Sequence, residues 1–163
     1  MRKMNRNFLA GLIIVLICGF VGLSASANAQ ARKVRTNFTP KPAIQQPLYT
    51  EYKGVRLGMT ATETRAKLGE PAVKADDGDY YILSDKETVQ LGYDVTNRVT
   101  TISIDFVDGV GAPDHKAVVG GVLEQMGNGG FYKLVRYESQ GFWVSYNRSV
   151  GAVVMVTITI QKM

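Results

Sequence analysis

Two stretches of this chain alternate apolar and polar residues so strictly that little choice of secondary structure is left. In "TVQLGYD" (88–94), Val89, Leu91 and Tyr93 share one side, and Gln90, Gly92 and Asp94 the other. In "VTTISIDF" (99–106), Ile102, Ile104 and Phe106 stand opposite Thr101, Ser103 and Asp105. A period of two marks a strand with one buried face, because successive side chains leave a pleated backbone on opposite sides. The aromatic run "DYYIL" (79–83) precedes them, with "SDKE" (84–87) and Asn97–Arg98 as turns. Together they predict a three-stranded antiparallel meander whose apolar face must be covered by something else.

The cover is written just upstream, in "GVRLGMTATETRAKLGEP" (54–71). Thr60 followed by Glu63 is a capping box, in which hydroxyl and carboxylate each satisfy a backbone amide of the other residue. Gly69 stands where a helix turns left-handed, and Pro71 blocks continuation. The predicted helix runs from Ala61 to about Leu68, with Ala61 and Leu68 on one stripe and Ala66 beside it. Eight residues are too few to hold a helix in water alone, so it needs the meander.

The pattern then recurs. "PDHKAVVGGVLEQMG" (113–127) can form a second helix, with Val118, Val122 and Met126 spaced by four. Strands are expected at 130–139, 141–147 and 153–160. Tyr81 and Leu83 correspond to Tyr132 and Leu134 at an offset of 51, and "TTISIDF" to "VMVTITI" at 54. The expected fold is α+β: two tandem α-β-β-β units giving a mostly antiparallel six-stranded sheet with two short helices on one face.

The front of the chain is built differently. Arg2, Lys3 and Arg6 precede an uncharged apolar run from Phe8 to Leu23, and small residues follow in "SASANAQA". This is the layout of a secretory signal peptide over residues 1–29, with cleavage after Ala29 or Ala31. The run is shorter than the stretch a spanning helix needs, and a retained anchor is the alternative. Cys18, the single cysteine, lies inside that run, and Ile17 before it is not the small residue a lipidation site requires. A mature chain would then hold no thiol and no disulfide. Losing Arg2, Lys3 and Arg6 takes the formal charge from +5 to +2.

Residues 30–50 read as a basic linker with Pro40, Pro42 and Pro47, an extended tether. Its Arg32, Lys33, Arg35 and Lys41 could make weak contact with anionic lipid. Beyond residue 50, acids outnumber bases, so the folded part (51–163) is slightly acidic. A nucleic-acid-binding domain would instead concentrate Lys and Arg on its folded face.

The residues from 54 to about 106 resemble the BamE (SmpA/OmlA) family, within the broader group of tandem β-lactamase-inhibitor-protein-like (BLIP-like) domains. The matching positions are Gly58, Met59, Thr60, Leu68, Gly69, Pro71, Tyr93, Asp94 and Val99. The resemblance implies a non-enzymatic envelope protein of the periplasm or outer-membrane periphery that binds other proteins. The missing lipidation cysteine and the second repeat depart from the BamE pattern and sit closer to the tandem inhibitor-like layout.

No residue set points to catalysis, a metal or a cofactor. His115, the only histidine, follows Asp114 directly, and sequence neighbours on a helix do not face one another. No Gly-x-Ser-x-Gly elbow is present. Asp76, Asp77 and Asp79 in "ADDGDY" miss the spacing of a calcium loop and read as a solvated acidic turn. What remains is the sheet face left open by the helices. Alternation places Trp143, Ser145, Asn147, Thr101, Ser103, Thr157 and Thr159 on it, a polar surface with one large aromatic. The functional expectation is an exported module that binds another envelope protein there, as a scaffold or inhibitor. A structural protein held at membrane or wall by an uncleaved anchor is the alternative, and an exported hydrolase the third reading.

Overall fold

The pairing of the two strictly alternating segments organises everything else. A computed structural model describes residues 45–163. The expected signal peptide, Cys18 and the linker residues through 44 lie outside the described residues. In chain order the elements are β1 (Glu51–Tyr52), β2 (Val55–Arg56), α1 (Ala61–Leu68), β3 (Val73–Lys74), β4 (Gly78–Ser84), β5 (Glu87–Tyr93) and β6 (Val99–Val107). After these come α2 (His115–Val118), β7 (Glu124–Gln125), β8 (Phe131–Tyr137), a 3-10 turn (Glu138–Gln140), β9 (Phe142–Arg148) and β10 (Met155–Lys162).

The expected six-stranded α+β fold is not what forms. Among the described residues the protein is mostly β, with an eight-stranded antiparallel sheet of order β3-β4-β5-β6-β10-β9-β8-β7 and a separate β1–β2 pair. Each repeat contributes four strands instead of three, because a two-residue edge strand, β3 or β7, precedes the meander. The order runs outward-in through the first unit and inward-out through the second. The last strands of the two units, β6 and β10, therefore pair at the centre, with Ile104 opposite Ile158.

The second helix is cut to four residues. Gly120 and Gly121 follow it at φ 61° and 60°, left-handed geometry that ends a helix and that glycine adopts without strain. Val122, expected on the buried stripe, is instead 84% exposed. In α1 the buried positions are Ala61 and Thr64, whereas Ala66 faces solvent.

The expected correspondence of Tyr81 with Tyr132 also fails. Tyr81 points into the core at 2% exposure, while Tyr132 pairs with Asn147 on the opposite face. Shifting a strand by one residue exchanges its faces.

The inner face of the sheet is the core. Val89, Leu91, Ile102, Ile104, Phe106, Val144, Ile158 and Ile160 are all buried there. Val55 from the β1–β2 pair, Ala61 from α1, Val118 from α2 and Val119 just after it close over them. Tyr49 and Tyr52 lie against the same core, Tyr52 meeting Phe106 edge-on at 6.3 Å.

Candidate functional site

The polar residues divide between the two faces of the sheet. On the inner face β4 brings Asp79 under α1, with its side chain fully buried. Arg65 grips the carboxylate with two bonds, Nε to Oδ2 at 2.9 Å and Nη2 to Oδ1 at 2.8 Å. The hydroxyls of Tyr93 and Tyr81 donate to Oδ2 at 2.8 and 3.2 Å, and Thr64 meets the Tyr93 hydroxyl at 3.0 Å. Burial alone would push the Asp79 carboxyl up; the bonds from Arg65 and the two tyrosines outweigh it and hold the group below the usual carboxylate range. Burial, reinforced by the carboxylate charge, in turn pushes the Tyr81 and Tyr93 hydroxyls up.

The acidic turn expected at 76–79 is therefore two different things. Asp76 and Asp77 are exposed, but Asp79 is a buried ionic anchor. The alternation of "DYYIL" already carried that signal, since Asp79 shares a face with Tyr81 and Leu83.

A second inner-face cluster fastens the incoming chain. Tyr52 donates its hydroxyl to Glu87, and Lys53 stands 3.3 Å from the same carboxylate. Burial first, then the Glu87 charge, pushes Tyr49 up to about 12. These contacts bind α1 and the β1–β2 pair to the sheet.

His115 begins α2 and is half-buried with its ring edge toward Tyr146. Its Nδ1 lies 3.8 Å from Asp114, whose own carboxylate caps the helix by accepting from the Lys116 amide at 2.8 Å. No hydroxyl side chain bonds to His115 among the described residues. Nor does any group of three His, Cys, Asp or Glu among them converge to hold a metal ion.

The outer face carries all seven residues expected there. Thr101 and Ser103 on β6, Thr157 and Thr159 on β10, and Trp143, Ser145 and Asn147 on β9 lie on three adjacent strands. Register places Ser103 opposite Thr159 and Thr159 opposite Ser145; Thr157 faces Asn147, and Gln161 lies between Thr101 and Trp143. Thr157 donates to Asp105 at 2.6 Å, and the Ser103 and Thr159 hydroxyls meet at 3.4 Å. Ser145 is buried at 7% exposure; Trp143 and the other five are half-buried.

The face extends further than the sequence indicated. Tyr132 and Leu134 of β8 continue it on one side, and Gln90 of β5 and Tyr80 of β4 on the other. Gly78 and Gly92 stand opposite each other there. A Cβ at Gly78 would collide with the carbonyl oxygen of Leu91. The missing side chains leave a hollow of about 200 Å³ bordered by Val73, Tyr80 and Gln90. Register alternation from Ser103 outward would have found Gln90 and Leu134, but only once the strand pairing was known.

The architecture is thus a sheet with one face filled by its own core and the other presenting hydroxyls, amides and a few aromatic rings. No protein-family model matches this chain, and no curated protein or solved structure matches it.

Proposed function

We propose that this chain is a non-enzymatic exported protein of the cell envelope that binds another protein through the outer face of its sheet, as a scaffold or inhibitor-like module. One observation carries the reading. Seven half-buried or buried residues on three central strands form a continuous polar surface, with Trp143 at one side and the Gly78–Gly92 hollow at the other. Hydroxyl and amide groups supply directional bonds, and an aromatic ring in a half-desolvated setting is the residue type that anchors interfaces. Export rests on the signal-like segment at residues 1–29. The BamE-like motif residues between Gly58 and Val99 support a place in the envelope.

The test is site-specific photo-crosslinking in the native cells. A crosslinker at Ser103 or Thr159 should trap one and the same protein, and Trp143→Ala should reduce that adduct about tenfold or more. The same crosslinker at exposed Thr62, on the outer side of α1, should not trap it. Equal trapping from Thr62, or an adduct indifferent to Trp143, would refute the outer face as the binding surface.

A further inference from the structure

Two facing glycines make the hollow at the β4–β5 end of the outer face, and the backbone demands only one of them. At Gly78 a side chain has no room against the Leu91 carbonyl oxygen. Gly92 lies in ordinary extended backbone, and a Cβ there would meet nothing closer than the Thr101 Cβ at 3.3 Å. A glycine inside a strand gives up conformational entropy and a cross-strand contact, and such a position marks where another group comes close. The hollow holds about 200 Å³. That is below the roughly 300–1,000 Å³ of a small-molecule pocket, and it suits one inserted side chain. Half-buried Tyr80 and exposed Val73 stand opposite each other at its edge, with Gln90 on the next strand.

The charge at the rim has one sign. Asp77 borders the hollow, is exposed and forms no ion pair among the described residues. Asp79 carries its side chain on the inner face, where Arg65 compensates it. Lys74 pairs with Asp79 in register and lines the space beside Arg65 and Asp76, on the α1 side of the sheet. Setting Lys74 against Asp76, and Lys162 against Asp94, still leaves Asp77 uncompensated.

We propose that the hollow receives an arginine side chain of the protein that docks on the outer face, an inference that rests on that face being a protein-binding surface. The stem would lie over the two glycines and Val73, with the guanidinium flat on the Tyr80 ring and within reach of Asp77. Arginine keeps its methylenes on apolar surface and its head in a polar setting, and its planar cation stacks on aromatic faces. A charge-assisted bond to a carboxylate favours it over a neutral or acidic side chain.

The first measurement is amide NMR of the chain titrated with acetyl-Ala-Arg-Ala-amide. Saturable shifts at the Gly78 and Gly92 amides are expected, with Kd on the order of a few mM. The Gln analogue of the peptide should give none, and the Lys analogue should bind several times more weakly, having no plane to set on Tyr80. Asp77→Asn should weaken binding at least about threefold, and so should raising the salt to about 1 M. Gly92→Ala narrows the hollow and should weaken binding further; Asp77→Asn, in an exposed turn, decides the matter if Gly92→Ala is destabilised. Equal binding of the Gln or Lys peptide, or shifts indifferent to Asp77→Asn, would overturn the proposal. Replacing Arg32, Lys33, Arg35 and Lys41 with glutamine should leave the affinity unchanged; a gain would mean that the chain's own tail fills the hollow, against a partner's arginine. In crosslinked cells Asp77→Asn should also reduce the Ser103 adduct about threefold. An adduct at full strength in that variant refutes the arginine contact and leaves the protein-binding face standing. No adduct from either Ser103 or Thr159 in the native chain refutes the face itself.

Discussion

Asp79 brings a full negative charge beneath α1, and the structure compensates it on every side. Two bonds from Arg65 and two from tyrosine hydroxyls meet the carboxylate. Replacing one member of a buried ion pair leaves the other charge uncompensated, and such losses run to about 3 kcal/mol. Asp79→Asn should therefore lower unfolding free energy by about that amount in urea at pH 7. The pH dependence has a definite sign. A carboxyl whose folded pKa lies below its unfolded value, about 4, stabilises fully above that value. The contribution is lost as pH falls through the folded pKa. Urea midpoints measured from pH 7 downward should fall more steeply below about pH 4 for the native chain than for Asp79→Asn. Parallel curves would show that the carboxylate is not held by these bonds. The face on which Asp79 lies could be read from "DYYIL", but its partner could not. Arg65 stands 14 positions away on a different element, and only the docking of α1 on β4 brings the two together.

Helix α1 shows how far local chemistry specifies an element. The Glu63 amide donates to the Thr60 hydroxyl at 3.3 Å, and the Thr60 amide donates to the Glu63 carboxylate at 2.7 Å, as the capping box requires. Thr60→Ala should cost about 1 kcal/mol and lower the thermal midpoint by about 4 °C, whereas Thr60→Asp should recover most of it. Calorimetry of the three proteins decides the matter; equal midpoints for Ala and native chains would mean that packing alone fixes the helix start. The boundaries Ala61–Leu68 were legible because caps are local and each residue type has its own reason to be there.

The long strands were legible for the same reason, through their period of two. What could not be read were β1, β2, β3 and β7, each two residues long, since two residues cannot display a period. The expected second helix runs past its real end because Val118, Val122 and Met126 keep helical spacing across Gly120–Gly121, where the backbone turns left-handed. Backbone entropy and positive φ at that pair outweigh a hydrophobic stripe only three residues deep. Of the outer face, β6, β9 and β10 could be assigned by alternation alone, whereas its extension onto β4, β5 and β8 required the register.

At the scale of the whole molecule, the central pairing of β6 with β10 decides how the two repeats behave. Seven residue pairs join these strands, from Met155 with Val107 to Gln161 with Thr101. On the inner side Ile104, Ile158, Ile102 and Ile160 interlock at 0% exposure. Neither unit can bury its innermost strand without the other, so the repeats should unfold as one body although they descend from separate stretches of chain. Trp143, the only tryptophan, reports on β9 of the second unit, while far-UV circular dichroism reports on the strands of both. The two signals should give coincident urea transitions, as a two-state domain does. Ile158→Ala removes buried volume at the seam and should destabilise by about 3 kcal/mol, shifting both curves together. A mutation in the second unit would then loosen the hydrogen exchange of β4 and β5 in the first by the same free energy. Fluorescence that moves ahead of the dichroism, or exchange in β5 that ignores Ile158→Ala, would mean that the units fold separately. In that case the outer face, which crosses the seam between Ser103 and Thr159, could not be the single rigid surface that protein binding there requires.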